Sequence, residues 1–166
     1  GLMYTQRVLE RQRVHFVTRP TAVIRAAGNA RAYIILPEAN GLALIDTERG
    51  NIDASVSLPE TPTFGSLSSD GELLMLLTET APDLLVLDSK SLQLRGRVFV
   101  GYGATCQASA NNGLLYVGLQ SGEVQVIDPR VALAIDQFRV GGAVQDLVQD
   151  RIENSLFVLT DRQQLE

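Results

Sequence analysis

Apolar residues fall along this chain in runs of three to six, separated by Gly, Asn, Asp, Ser and Pro. One series is Ala32-Tyr33-Ile34-Ile35, Leu73-Leu74-Met75-Leu76, Leu115-Tyr116-Val117 and Leu156-Phe157-Val158, stepping by 41, 42 and 41 residues. A second is Ala43-Leu44-Ile45-Asp46-Thr47, Leu85-Val86-Leu87-Asp88-Ser89 and Gln125-Val126-Ile127-Asp128-Pro129, with its aspartates 42 and then 40 residues apart. Runs this short, bounded by turn residues, predict strands rather than helices. Gly28-Asn29, Asp70-Gly71 and Asn112-Gly113 precede the second strand of their units, and Asn40-Gly41 and Ser121-Gly122 the third. Asx-Gly pairs take the positive φ values of tight hairpins. A fourth strand alternates through Ile52, Ala54, Val56 and Leu58, and again, with one slip, through Leu133, Ile135, Phe138 and Val140. Such alternation predicts an outer strand with one face in water.

Two markers sharing one period define a repeat, and a repeat governs the whole architecture. Four strands every forty-odd residues predict an all-β chain of propeller blades, each a four-stranded antiparallel sheet. The units run over 2–17 (partial), 18–58, 59–100, 101–140 and 141–166 (partial), all in one segment spanning 1–166. The complete units are Thr21 to Leu58, Pro62 to Val100 and Ala104 to Val140. Leu2 to Val17 reads as the end of a third strand and a fourth strand, while Val144 to Val148 and Ser155 to Leu159 read as a first and second. The ends are therefore offset so that the termini share a blade, about four blade equivalents in all. Three arrangements follow: a section of a longer propeller, a ring of two copies that complete each other's split blade, or four blades closing on themselves. An open blade edge would leave unpaired backbone donors and acceptors, a template for association.

The unit Leu115-Tyr116-Val117, Gly122-Glu123-Val124-Gln125-Val126-Ile127-Asp128 and Val140-Gly141-Gly142 resembles the YVTN-type β-propeller repeat, a relative of WD40-like blades. The resemblance covers residues 14 to 162. It departs at Leu74-Met75-Leu76, which replaces the aromatic-Val pair, and at Thr18-Arg19-Pro20 and Pro59-Glu60-Thr61-Pro62, which replace the Gly-Gly corner. With no Trp, the chain lacks the Trp-Asp signature of true WD40 repeats. The resemblance implies more blades than four, and a periplasmic or extracellular location. It also includes lactonases and cofactor-binding periplasmic enzymes, but the His and acidic clusters those activities need have no match in this sequence.

Composition narrows the chemistry. The 166 residues carry 14 basic and 19 acidic side chains, a net charge of −5. Without clustered Lys and Arg, no groove neutralises a run of phosphates, which argues against nucleic-acid binding. No apolar run reaches the roughly 18 to 20 residues of a membrane-spanning helix. One His and one Cys cannot build a His/Cys zinc site, so no metal and no cofactor are expected. Arg7, Arg11, Arg13, Arg19, Arg25 and Arg31 make the first quarter basic, and an acidic stretch from Glu60 to Asp88 follows; this asymmetry is one means by which two copies could meet.

The recurrent Asp46, Asp88 and Asp128 sit one blade apart, too far to share an ion, and read as side chains capping the turn into the next strand. His15 alternates away from Val14 and Phe16 and reads as a solvent-facing residue. Cys106, among Ala104, Thr105 and Ala108, reads as a buried thiol on an innermost strand. Gly101-Tyr102-Gly103 and Gly141-Gly142 are followed by no helix, so they read as strand crossovers rather than phosphate cradles. The candidate binding residues are therefore Arg19, Glu60 and Tyr102, which project from equivalent corners, where loops on a rigid scaffold concentrate binding. The function this predicts is a non-catalytic propeller scaffold for a protein or ligand, with a protein partner or a second copy. The alternative is a section of a propeller enzyme, lactonase-like or redox-cofactor-binding, whose catalytic residues lie outside this segment.

Overall fold

A computed structural model describes residues 22–25 (as backbone), 30–36, 40–78, 80–150, 152 and 155–161. The first sheet comprises β1 (Ala22–Arg25), β2 (Arg31–Leu36), β3 (Gly41–Asp46) and β4 (Asn51–Ser57). The second comprises β5 (Pro62–Leu67), β6 (Leu73–Thr78), β7 (Asp83–Asp88) and β8 (Leu94–Phe99). The third comprises β9 (Ala104–Ser109), β10 (Leu115–Leu119), β11 (Glu123–Asp128) and β12 (Leu133–Arg139), and a fourth comprises, among the described residues, β13 (Val144–Asp150) and β14 (Ser155–Thr160). Every pairing is antiparallel and joins strands consecutive in sequence. The described residues hold no helix long and apolar enough to cross a membrane. The partial unit expected over 2–17, with His15, and the corner residue Arg19 lie outside the described residues.

Turn chemistry sets this meander. Gly71, Gly113 and Gly122 take φ of 75°, 88° and 95°, where only glycine is free of strain. At Asn40-Gly41 it is the asparagine that turns, with φ of 47°, a conformation asparagine tolerates better than most side chains.

The sheets pack face to face in sequence order. Tyr33, Ile35, Leu42 and Leu44 of the first meet Leu74, Leu76, Leu85 and Leu87 of the second. Met75, Leu77, Leu84, Val86 and Val98 of the second meet Leu115, Val117, Leu119 and Ile127 of the third. Cys106 and Val124 of the third meet Val144, Leu147 and Val158 of the fourth. A middle strand sandwiched this way is buried on both faces, which is why β6 reads as the continuous apolar run Leu73–Leu77 instead of alternating. First strands lie side by side, β5 by β9 and β9 by β13, whereas β8 and β12 meet only sparingly. The sheets thus fan from a close inner edge to a splayed outer one, the radial order of propeller blades.

The outer strands depart from simple alternation. Opposite Leu44 and Ile45 the register skips Asp53, and opposite Val126 and Ile127 it skips Ile135. Each skip is a β-bulge, which adds a residue and twists the strand. Ile52 therefore falls out of phase with Ala54 and Val56 and is exposed.

Candidate functional site

Two of the three expected binding residues occupy equivalent corners, where a fourth strand crosses to the first strand of the next sheet. Glu60 stands between β4 and β5, and Tyr102 between β8 and β9. Gly101 and Gly103 flank Tyr102 with φ of 103° and 81°. That backbone leaves the ring 71% exposed.

Glu60 is half-buried and tied down. Its carboxylate accepts hydrogen bonds from the hydroxyls of Thr80 and of Thr78, the latter at 2.9 Å. Those two hydroxyls, Thr80 foremost, hold the carboxyl below the usual glutamate range. Beside it a crevice of about 30 Å³ is lined by Pro59, Ala81, Asp83 and Arg97. An open cleft of about 290 Å³ shares Pro59, Leu85 and Arg97 with that crevice and is also lined by Val56, Leu58, Leu87, Leu92 and Leu94 of the first two sheets. The cleft is made by residues far apart in sequence, and no local motif announces it.

The recurrent aspartates are committed to turns. Asp46 Oδ1 accepts from the amides of Glu48 and Arg49 at 3.0 and 2.9 Å, and Asp88 Oδ1 from those of Lys90 and Ser91 at 2.9 and 2.8 Å. Asp128 Oδ1 accepts from Arg130 at 3.1 Å. The amide of Ser91, then that of Lys90, then Arg95 at 3.1 Å hold the Asp88 carboxyl well below the usual range. Among the described residues, no group of three or more His, Cys, Asp or Glu is placed to hold a metal ion.

Along the inner strands, polar side chains tie sheet to sheet. Thr105 Oγ1 donates to the Val144 carbonyl at 2.6 Å, and Ser109 Oγ to the Leu67 carbonyl at 2.7 Å. Gln107 Nε2 donates to Ser66 Oγ at 2.6 Å, and its buried Oε1 has no partner among the described residues. Cys106 is buried among them, and that burial raises its thiol pKa.

Two further cross-sheet links escaped the sequence reading. Tyr33 Oη donates to the Ser89 carbonyl at 2.6 Å, and Arg130 Nη2 to Asp70 Oδ2 at 2.7 Å. In both, the turn between the third and fourth strands of one sheet clasps the sheet before it. The signal available in the sequence was the pair Tyr33 and Tyr116, which occupy the same register position, opposite Leu44 and Val126.

The sequence matches no protein-family profile and no curated protein. Among solved structures, this chain is similar to hydrazine synthase of Kuenenia stuttgartiensis, with a TM-score of 0.75 and 14% identity. The alignment covers 86% of this chain and 42% of that one, so this chain spans less than half of that length. At such identity the likeness concerns the fold, and it agrees with the all-β, propeller-like arrangement described above.

Proposed function

We propose that this chain is a non-catalytic scaffold of the YVTN-like kind, which binds a protein or ligand at the rim where fourth strands cross to first strands. The observation that carries the reading is Tyr102, an aromatic ring presented to solvent from a corner whose backbone two positive-φ glycines define. An exposed tyrosine on a fixed backbone supplies contact area at little entropic expense, the quality that makes such residues interface anchors. The acidic side chains that recur from blade to blade serve turns, and the one thiol is buried. These placements support binding over catalysis. The family resemblance would put such a scaffold in the periplasm or outside the cell, within a longer propeller or a ring of two copies.

The test compares the chain with Tyr102→Ala. A partner captured on the chain from an extract of its source cells is identified and then titrated against both forms. Loss of about tenfold or more in affinity for Tyr102→Ala, with an unchanged β-sheet spectrum, is the expected result. Equal affinity for the two forms, or turnover of a lactone by the chain alone, overturns the proposal.

A further inference from the structure

Asp83 opens β7 as Glu123 opens β11, each five residues before the aspartate of its turn. In the third sheet that position is satisfied, because Arg139, directly opposite, donates to Glu123 Oε1 at 2.8 Å. The next pair along, Gln125 and Gln137, is joined at 3.0 Å. The second sheet breaks both matches. Asp83 faces Phe99, and Arg97 faces Leu85. Neither charged side chain has a hydrogen bond or ion pair among the described residues, although both line the crevice beside Glu60. The Glu60 carboxylate, held by Thr78 and Thr80, puts a second negative charge on the same wall. At about 30 Å³ the crevice has room for one small polar group. The cleft that shares Arg97 with it is otherwise apolar, lined by Val56, Leu58, Leu87, Leu92 and Leu94. One of these sits there at a cost. Gly50 closes the turn of the first sheet with φ of 73°, and Leu92 closes that of the second with φ of 62°, where leucine is strained and glycine is not.

We propose that the crevice and cleft together bind a free α-amino acid with a branched or aromatic apolar side chain. Its ammonium group enters the crevice against Asp83 and Glu60, its carboxylate meets the Arg97 guanidinium, and its side chain lies along the leucines of the cleft. Charge decides among amphiphiles. Two carboxylates against one guanidinium favour an ammonium in the crevice, and Arg97 presents the paired donors that suit a carboxylate. A fatty acid would leave Asp83 unanswered and meet repulsion from Glu60, while a simple amine would leave Arg97 unanswered. A zwitterion answers both. Size agrees, since a cleft of about 290 Å³ lies just under the roughly 300 to 1,000 Å³ of sites that hold drug-sized ligands. The cleft is open, so water screens both charges and keeps the affinity modest. This inference goes beyond the scaffold reading and uses nothing of the Tyr102 ring, so the two fail separately.

Titration calorimetry of the chain with L-leucine and L-phenylalanine tests it, with the circular dichroism of every variant compared with that of the parent. The expected result is a dissociation constant below about 1 mM for at least one of the two. Alanine, which lacks the apolar body, should bind at least about tenfold more weakly. N-acetylphenylalanine, without the ammonium charge, and phenylalanine amide, without the carboxylate, should each lose about tenfold or more. Asp83→Asn and Arg97→Gln, both at positions outside the core, should keep the parent's spectrum and weaken phenylalanine by a similar factor. Leu92→Gly relieves the backbone of the turn but removes the apolar wall, and should weaken phenylalanine and leucine without altering the response to alanine. Three results overturn the proposal: no binding of leucine or phenylalanine at about 10 mM; affinity unchanged in Asp83→Asn and Arg97→Gln; or N-acetylphenylalanine bound as well as phenylalanine, which would make the site one for amphiphilic carboxylates.

Discussion

Gly118 on β10 backs directly onto Val144 on β13. A Cβ added at Gly118 would lie 2.9 Å from both Val144 Cβ and Cys106 Sγ. Real side chains do not approach that closely, so the third and fourth sheets meet at this point only because position 118 has no side chain. Thr105 crosses the same seam, donating to the carbonyl of Val144.

Gly118→Ala should therefore pry the fourth sheet from the third. Overpacking of this kind costs about 1–3 kcal/mol. Urea unfolding followed by circular dichroism would report it as a lower midpoint. An unchanged midpoint would mean that β13 shifts freely, and the seam would then not be rigid.

Asp88 makes the fold sensitive to acid. The amides of Ser91 and Lys90, and then Arg95, favour its ionised form, so its pKa is depressed in the folded state relative to the unfolded one. A depressed carboxylate contributes stability that is complete above the unfolded pKa, about 4, and is lost as the pH falls toward the folded value. Asp88→Asn keeps an acceptor for the turn but has no proton to gain. The expected outcome is a smaller fall in stability for Asp88→Asn than for the parent as pH drops below about 4. Thermal unfolding measured down to acid pH decides it, and parallel curves would refute the coupling.

Much of this architecture could be read in advance because blade strands are local. The forty-odd-residue period, the Asp-capped turns at Asp46, Asp88 and Asp128 and the turn pairs around Gly71, Gly113 and Gly122 are all set by near neighbours in sequence. What stayed hidden depends on contacts between sheets. The bulges at Asp53 and Ile135 break the phase of β4 and β12, and no residue there marks them. The cleft beside Arg97 joins β4 to β7 and β8, and the clasp of Glu60 by Thr78 and Thr80 reaches across a hairpin. Tyr102 was legible because glycines on both sides of an aromatic residue describe a corner without reference to anything distant.

Tyr33 links the first two sheets through one buried hydroxyl. Its loss in Tyr33→Phe leaves the Ser89 carbonyl without that donor at a site closed to water, which costs about 1–3 kcal/mol. Denaturant unfolding should show this loss. In contrast, Tyr102→Ala, at an exposed corner, should stay within about 0.5 kcal/mol of the parent. Equal effects from the two substitutions would contradict the assigned burial.

Cys106 supplies a probe of how the inner strands open. Desolvation pushes its thiol pKa above the usual value, and Thr105 offsets this only in part. Both the scarcity of thiolate and the lack of access should slow any reagent. Reaction with a coloured aromatic disulfide at about pH 8 should run at least about a hundredfold slower in the folded chain than in denaturant. If β13 is the weakest cover over Cys106, Gly118→Ala should speed the reaction by the same factor by which it eases opening of the third sheet from the fourth. A folded chain that reacts as fast as the denatured one would show that the thiol reaches solvent, and the inner strands would then not be packed as described.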